Sequence, residues 1–390
     1  MKVNLLASAA ILFFSLVSVA QQGQTELDVK FTQAFNLQKK SRRVEAENIY
    51  NEILKEDKTY GAAYYQRSLI HFHYKKNDIA IKDLASAIDY GNTEIKISAH
   101  REMLIFLFKE SDSCSAEAMS HVEALNNLKA DNFEASYYSG LCKFYSGSFQ
   151  EAVNDFTQAY NQNPEFLKTL FYRAQAEIEI KNYVTAVDDL TKYITKNPKS
   201  GEAFFWRAYA QYELGIQPKQ KHAKKYLNSA LDDLNLAIKF KVREEEAYFD
   251  RAEVKFELED YEGAITDFKR VITINSRNMD ARYQKAFCYY HYGKEYYAEK
   301  ELKQIIKIDP TYVDAYYDLA VIYLSKDKLE TALSYINKCI KLDHEHGDAY
   351  EIRAEINFDL GKTDEACQDI KKADELGDEL AHKEVHKFCK

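Results

Sequence analysis

The sequence is short of the residues that punctuate a chain. Its 390 residues include only 4 prolines and 12 glycines. That scarcity argues against a turn-dense fold and suits helices joined by short turns. After an apolar stretch near the start, no run reaches the ~18 residues of a membrane span. Positive charge is also in deficit: 53 Lys and Arg face 62 Asp and Glu, a formal net charge of −9. No basic stripe gathers on one face, so nucleic acid is not an expected ligand. There is no glycine-rich phosphate loop, no nucleophile elbow and no Cys–His pair with supporting context. His382 and His386 stand one turn apart, but Lys383 holds the place a zinc-protease helix gives to Glu. No catalysis, cofactor or metal is expected.

The first twenty residues read as a separate object. Lys2 supplies a positive start, Leu5 to Val19 is apolar, and Ser18-Val19-Ala20 offers small residues where a signal peptidase reads. Cleavage after Ala20 and export to the periplasm or the exterior are expected. Gln21 is not Cys, which argues against a lipid anchor. Loss of Lys2 takes the charge from −9 to −10. Residues 21–26 form a short lead. Export makes disulfides available to the six cysteines.

What the chain has in abundance is a period. Ten alanines, from Ala46 through Ala80, Ala118, Ala152 and Ala186 to Ala230, Ala264, Ala298, Ala332 and Ala366, are separated by 34 residues seven times, by 38 once and by 44 once. A fixed spacing of that size means stacked helix–turn–helix repeats. With each alanine as position 20, the repeats start near Leu27, Gly61, Ile95, Phe133, Leu167, Gly201, Glu245, Met279, Val313 and Gly347. Position 8 is small in nine of the ten, and position 24 is large and apolar in all. Two antiparallel helices approach closely only where both present small side chains, so positions 8 and 20 mark the crossing. Gly147, Gly215, Gly293 and Gly361 fall at position 15, where the first helix should end. Pro164, Pro198 and Pro310 fall just past the second helix. Cys142, Cys288 and Cys339 sit at inward positions and read as small buried hydrophobes, while Cys114 lies in a turn.

This pattern resembles the tetratricopeptide repeat family. Phe249-Asp250-Arg251-Ala252 followed by Asp260 to Phe268 carries the resemblance most closely, as do Met279 to Pro310 and Tyr316 to Lys341. The exported bacterial type, with its N-terminal signal peptide, is the nearest likeness. The resemblance implies an all-α, right-handed solenoid of about ten repeats over residues 27–376. A capping helix over 377–390 is expected to close it. Repeat 3 departs from the pattern with 38 residues and Glu102 at position 8; repeat 6 departs with ten extra residues.

In that family position 5 of the first helix points into a concave groove. Here it reads Phe31, Tyr65, Tyr137, Phe171, Phe205, Phe249, Tyr283 and Tyr317, with Trp206 beside Phe205. These rings serve either a partner-binding groove or packing between repeats. A groove of this kind implies a peptide or helix of another protein as ligand, held by a non-catalytic scaffold. A periplasmic holdase or assembly factor for partly folded clients is the alternative. Aromatics stand where a carboxylate clamp needs Lys, and the Arg at position 7 of five repeats are expected to pair with acids between helices. The insertion 216–226, with Lys219, Lys221, Lys224 and Lys225, is either a solvated helix extension with a loop or a docking site for an acidic partner. Cys367 and Cys389 form either a disulfide at the C-terminal end or two unpaired thiols.

Overall fold

A computed structural model describes residues 25–111, 113–128 and 133–377. The signal segment, residues 378–390 of the expected capping helix, Cys389, His382 and His386 lie outside the described residues. Within them are twenty α-helices and no strand. Repeats 1 to 5 pair α1 (Glu26–Lys39) with α2 (Arg43–Glu56), α3 (Gly61–His73) with α4 (Asn77–Tyr90), α5 (Thr93–Glu110) with α6 (Ala116–Leu128), α7 (Phe133–Tyr145) with α8 (Phe149–Gln162), and α9 (Lys168–Glu179) with α10 (Tyr183–Lys196). Repeats 6 to 10 pair α11 (Gly201–Gly215) with α12 (Ala223–Lys239), α13 (Glu244–Glu257) with α14 (Tyr261–Ile274), α15 (Met279–His291) with α16 (Glu295–Ile308), α17 (Val313–Ser325) with α18 (Leu329–Leu342), and α19 (Gly347–Asp359) with α20 (Thr363–Glu375). The chain divides between Tyr193 and Ile194 into two compact units. Each is an all-α solenoid stack, in which consecutive helices pack on one another. No described helix is long and apolar enough to cross a membrane.

The core follows the period. All ten position-20 alanines are buried, and so are all ten position-24 side chains, from Tyr50 to Ile370. The small residues at position 8 are buried opposite them, and the fit is tight. A Cβ added to Gly140 would come within 2.7 Å of the Phe156 ring. Phe156 is large at position 24, and glycine makes the room for it. Pro164, Pro198 and Pro310 each fall in the turn after a second helix, where no helical N–H is needed.

The first helices end in one way whether or not glycine is there. Position 15 is left-handed at Gly147, Gly293 and Gly361, and also at Ser41, Lys75, Lys181, Glu259 and Asp327. Gly215 differs: it is still helical, and a side chain there would strike Leu227. Its glycine serves close packing rather than the turn.

A polar clamp accompanies the apolar crossing. The guanidinium of Arg67 spans both carboxylate oxygens of Asp83 at 2.9 and 2.6 Å. Arg173 holds Asp189, Arg251 holds Asp267 and Arg353 holds Asp369 in the same two-pronged way, always 16 residues apart. These aspartates are buried, so the pairing removes the cost of an isolated interior charge. The remaining guanidinium nitrogen reaches back to the preceding repeat, to Asn51, Thr157, Asn235 and Asn337 respectively. Ser139–Asp155 and Lys285–Glu301 occupy the same two positions in repeats 4 and 8.

Repeat 3 is built differently. Its first helix, α5, has 18 residues, and Arg101 turns from its own second helix to Glu134 of α7 at 3.2 Å. His121 stands where other repeats place the clamp acid, and its Nδ1 lies 2.8 Å from Nδ1 of His100. Burial and the neighbouring ring lower the pKa of His100 to about 4, so both rings are neutral at pH 7. Cys114, in the turn after α5, is disulfide-bonded to Cys142 of α7, with Cα atoms 4.8 Å apart. Cys142 is therefore buried as expected but is not a free small hydrophobe. Cys288 and Cys339 are free, buried thiols.

Candidate binding site

The position-5 rings divide into two groups. In the first unit Phe31, Tyr65 and Tyr137 are buried. Phe31 lies against Tyr50 and Tyr60, and Tyr137 meets Phe166 edge-on at 4.9 Å. Tyr60 and Phe166 lead into the following repeats, so these rings fill joints between repeats and offer a partner little surface. Phe171, half-buried, lies 5.2 Å from the Tyr193 ring. In the second unit Phe205 is buried, while Trp206, Phe249, Tyr283 and Tyr317 are half-buried; Tyr283 and Tyr317 lie against Tyr312 and His346 at the next joint but are less fully covered than the first group. A first helix shows its neighbours two adjacent faces, and sequence spacing alone does not separate the joint from the open surface.

The second unit also carries two clefts at one repeat address. The larger, about 320 Å³, opens between α11 and α13. Ala208, Tyr209, Tyr212, Glu213 and Ile216 line one side, Asp250 and Glu253 the other, and Leu234 of α12 forms part of the floor. The second cleft, about 60 Å³, lies between α15 and α17, with Ala286, Phe287 and Tyr290 facing Asp318 and Val321 over Leu302. Each cleft thus sets a tyrosine at position 12 against an aspartate at position 6 of the next repeat.

The charge in these clefts is poorly compensated. Burial first, then Glu253 and Glu246, raise the pKa of Asp250 to about 7, and Arg243 only partly offsets them. Burial, Glu257 and Glu213 raise Glu253 to about 7 as well. Among the described residues neither carboxylate accepts a hydrogen bond or pairs with a cation. Burial next to Glu253 and Glu257 pushes the Tyr212 phenol upward. In the second cleft burial raises Asp318 to about 6, although the Tyr283 hydroxyl donates to it. The sequence reading passed over both aspartates; their signal was an acid at position 6, beside the aromatic at position 5.

Trp206 is partly covered by the chain itself. The Arg243 guanidinium lies 5.2 Å from its ring and 5.4 Å from that of Phe205, and its Nε donates to Glu202 at 3.0 Å. An aromatic wall and a carboxylate here hold a guanidinium. The insertion forms a loop from 216 to 222 and lengthens α12 to 17 residues, with Lys219, Lys221, Lys224 and Lys225 exposed.

Residues 140–201, 245–278 and 301–334 each match a family model described as tetratricopeptide repeat. The chain carries tetratricopeptide repeats. Among solved structures, a tetratricopeptide repeat protein from Parabacteroides merdae is 19% identical, with a TM-score of 0.50 over 66% of this chain and 98% of that one. The C-terminal part of a repeat protein from Cytophaga hutchinsonii is 21% identical, with a TM-score of 0.48 over 64% and 97% of the two chains. YrrB, described as a tetratricopeptide protein with an unusual peptide-binding site, is 21% identical, with a TM-score of 0.41 over 50% and 95%. No curated protein matches the chain. Identities this low speak to the fold alone. Tetratricopeptide proteins are generally protein-interaction scaffolds rather than enzymes. The three matched segments include α14 and α17 but not the two irregular repeats.

Proposed function

We propose that the chain is an exported, non-catalytic scaffold that binds a peptide or helical segment of a partner protein along the first helices of its second unit. One observation carries the reading. Phe249, Tyr283 and Tyr317 keep part of their surface open, next to the cleft residues Asp250 and Asp318, while the equivalent rings of repeats 1, 2 and 4 are fully buried. Partly open rings offer large contact area with little rotamer entropy to lose. Export rests on the N-terminal pattern, and the Cys114–Cys142 disulfide supports it, because such bonds persist in oxidising compartments.

The test is partner capture by the mature chain from the exported-protein fraction. Parent is compared with a Phe249→Ala, Tyr283→Ala, Tyr317→Ala variant of unchanged helicity. One or two proteins captured by the parent and lost by the variant support the scaffold. Capture unaffected by the substitutions defeats it. A broad spectrum of unfolded chains would favour a holdase instead.

A further inference from the structure

The larger cleft joins apolar walls to two carboxylates. Its walls are the Tyr209 and Tyr212 rings, its floor includes Ala208 and Leu234, and Asp250 and Glu253 stand one turn apart on α13. The aliphatic stem of a long side chain fits the apolar part, and its charged head would meet the carboxylates. The chain itself shows the chemistry on the same first helix: Arg243 rests on Phe205 and Trp206 and bonds to Glu202. The larger cleft repeats that combination of rings and carboxylates. The second cleft repeats it on a smaller scale with Tyr290 and Asp318.

We propose that the cleft between α11 and α13 is a subsite for an arginine or lysine side chain of a partner polypeptide, held between Tyr209 and Tyr212 and the carboxylates of Asp250 and Glu253. This deepens the scaffold reading and rests on it: the partner segment would be basic. It also follows from charge. Glu213 on α11 and Glu246 and Glu257 on α13 add to the negative field around the two carboxylates, and Arg243 offsets it only at Asp250. An acidic partner would be repelled, and a neutral one would leave the buried charge uncompensated.

The experiment uses the full mature chain and three synthetic peptides: acetyl-Gly-Arg-Gly-amide, its lysine counterpart and its norleucine counterpart. Binding is read by ligand-observed saturation-transfer NMR and by emission of Trp206, the only tryptophan, whose ring centroid lies 6.4 Å from that of Tyr209. Saturable binding of the two cationic peptides at pH 8, with norleucine at least fivefold weaker, is expected. An Asp250→Asn, Glu253→Gln variant should lose at least fivefold in affinity for the cationic peptides while melting no lower than the parent. Cationic binding should also weaken at pH 5.5, where both carboxylates carry protons. Equal binding of all three peptides, no binding of the cationic ones, or an unaffected double variant would each overturn the subsite. If the double variant still captures the protein partner that the ring variant loses, the scaffold reading stands and the cation subsite falls.

Discussion

Repeats 3 and 6 both break the 34-residue period, and they do so at different places in the packing. Repeat 6 carries ten extra residues, yet Arg207 still grips both oxygens of Asp233, at 2.7 and 2.8 Å. The separation has simply grown from 16 to 26 residues. The extra length goes into a loop and the first turns of α12, outside the helix crossing, where Ala208 and Ala230 remain buried. Repeat 3 places its additional length in α5 itself. The small residue at position 8 and the clamp are both gone there. Arg101–Glu134, the His100–His121 contact and the Cys114–Cys142 bond stand in their place. Insertions between crossings leave the repeat intact; insertions within a helix require a new set of contacts.

The comparison can be broken most forcefully at the clamp. Arg207→Leu strands the buried Asp233 and should cost about 3–5 kcal/mol, the range for removing one partner of a buried pair. The denaturant midpoint of the second unit reads it, and a change below ~0.5 kcal/mol would mean that repeat 6 does not depend on its clamp. Next comes the staple. Replacing Cys114 and Cys142 by Ser and Ala opens a loop closed across 28 residues, for which the chain-entropy estimate is roughly 3 kcal/mol or slightly more. Amide exchange should accelerate in α5 to α7 and hardly at all in α11 to α14. Third, Ala264→Leu should overpack a regular crossing and cost ~1–3 kcal/mol, read in a thermal melt.

His100 and the Asp250–Glu253 pair should also answer pH with opposite signs. Asp250 and Glu253 have folded pKa values of about 7, above the unfolded values, so the native state binds the extra protons. Their contribution to stability is present at low pH and is lost as pH rises from about 4 through 7. His100 is the reverse: at about 4 its folded pKa lies below 6.5, and its contribution is lost as pH falls from about 6.5 towards 4. Amide exchange at pH 7.5 and 5.5, corrected for intrinsic rates, should show α11 and α13 gaining protection at the lower pH while α5 and α6 lose it. Asp250→Asn with Glu253→Gln should flatten the first response only. The smallest effect belongs to position 15. Lys75→Gly or Glu259→Gly relieves a left-handed side-chain residue and should stabilise by ~0.5–1 kcal/mol.

The helix crossings were readable because a small residue and a large one recur at fixed places, and burial follows that alternation. The pairing of the position-7 arginines with acids between helices was readable too, and their partners stand a constant 16 residues downstream in the regular repeats. The fate of the position-5 rings was not. A ring at that place meets a ring at the next joint whether it ends fully buried, as Phe31 against Tyr60, or only half-buried, as Tyr283 against Tyr312. Cys142 looked like a small apolar residue because it occupies an inward slot. Its partner lies in a turn of one of the two repeats that break the period. The left-handed turns at Lys75 and Lys181 carry no glycine to announce them.

The backward reach of the clamp arginines has a mechanical consequence. Arg251 ties repeat 7 to repeat 6 through Asn235, and Arg353 ties repeat 10 to repeat 9 through Asn337. Repeat 8 has Lys285 at the arginine position, which reaches Glu301 within its own repeat, and repeat 9 has Leu319 there. Neither junction of repeat 8 is buttoned by an arginine. The junction of repeats 8 and 9 is held instead by Glu299 and Lys303, which bond to Tyr323 and Lys326, so under load or denaturant the second unit should part first between repeats 7 and 8.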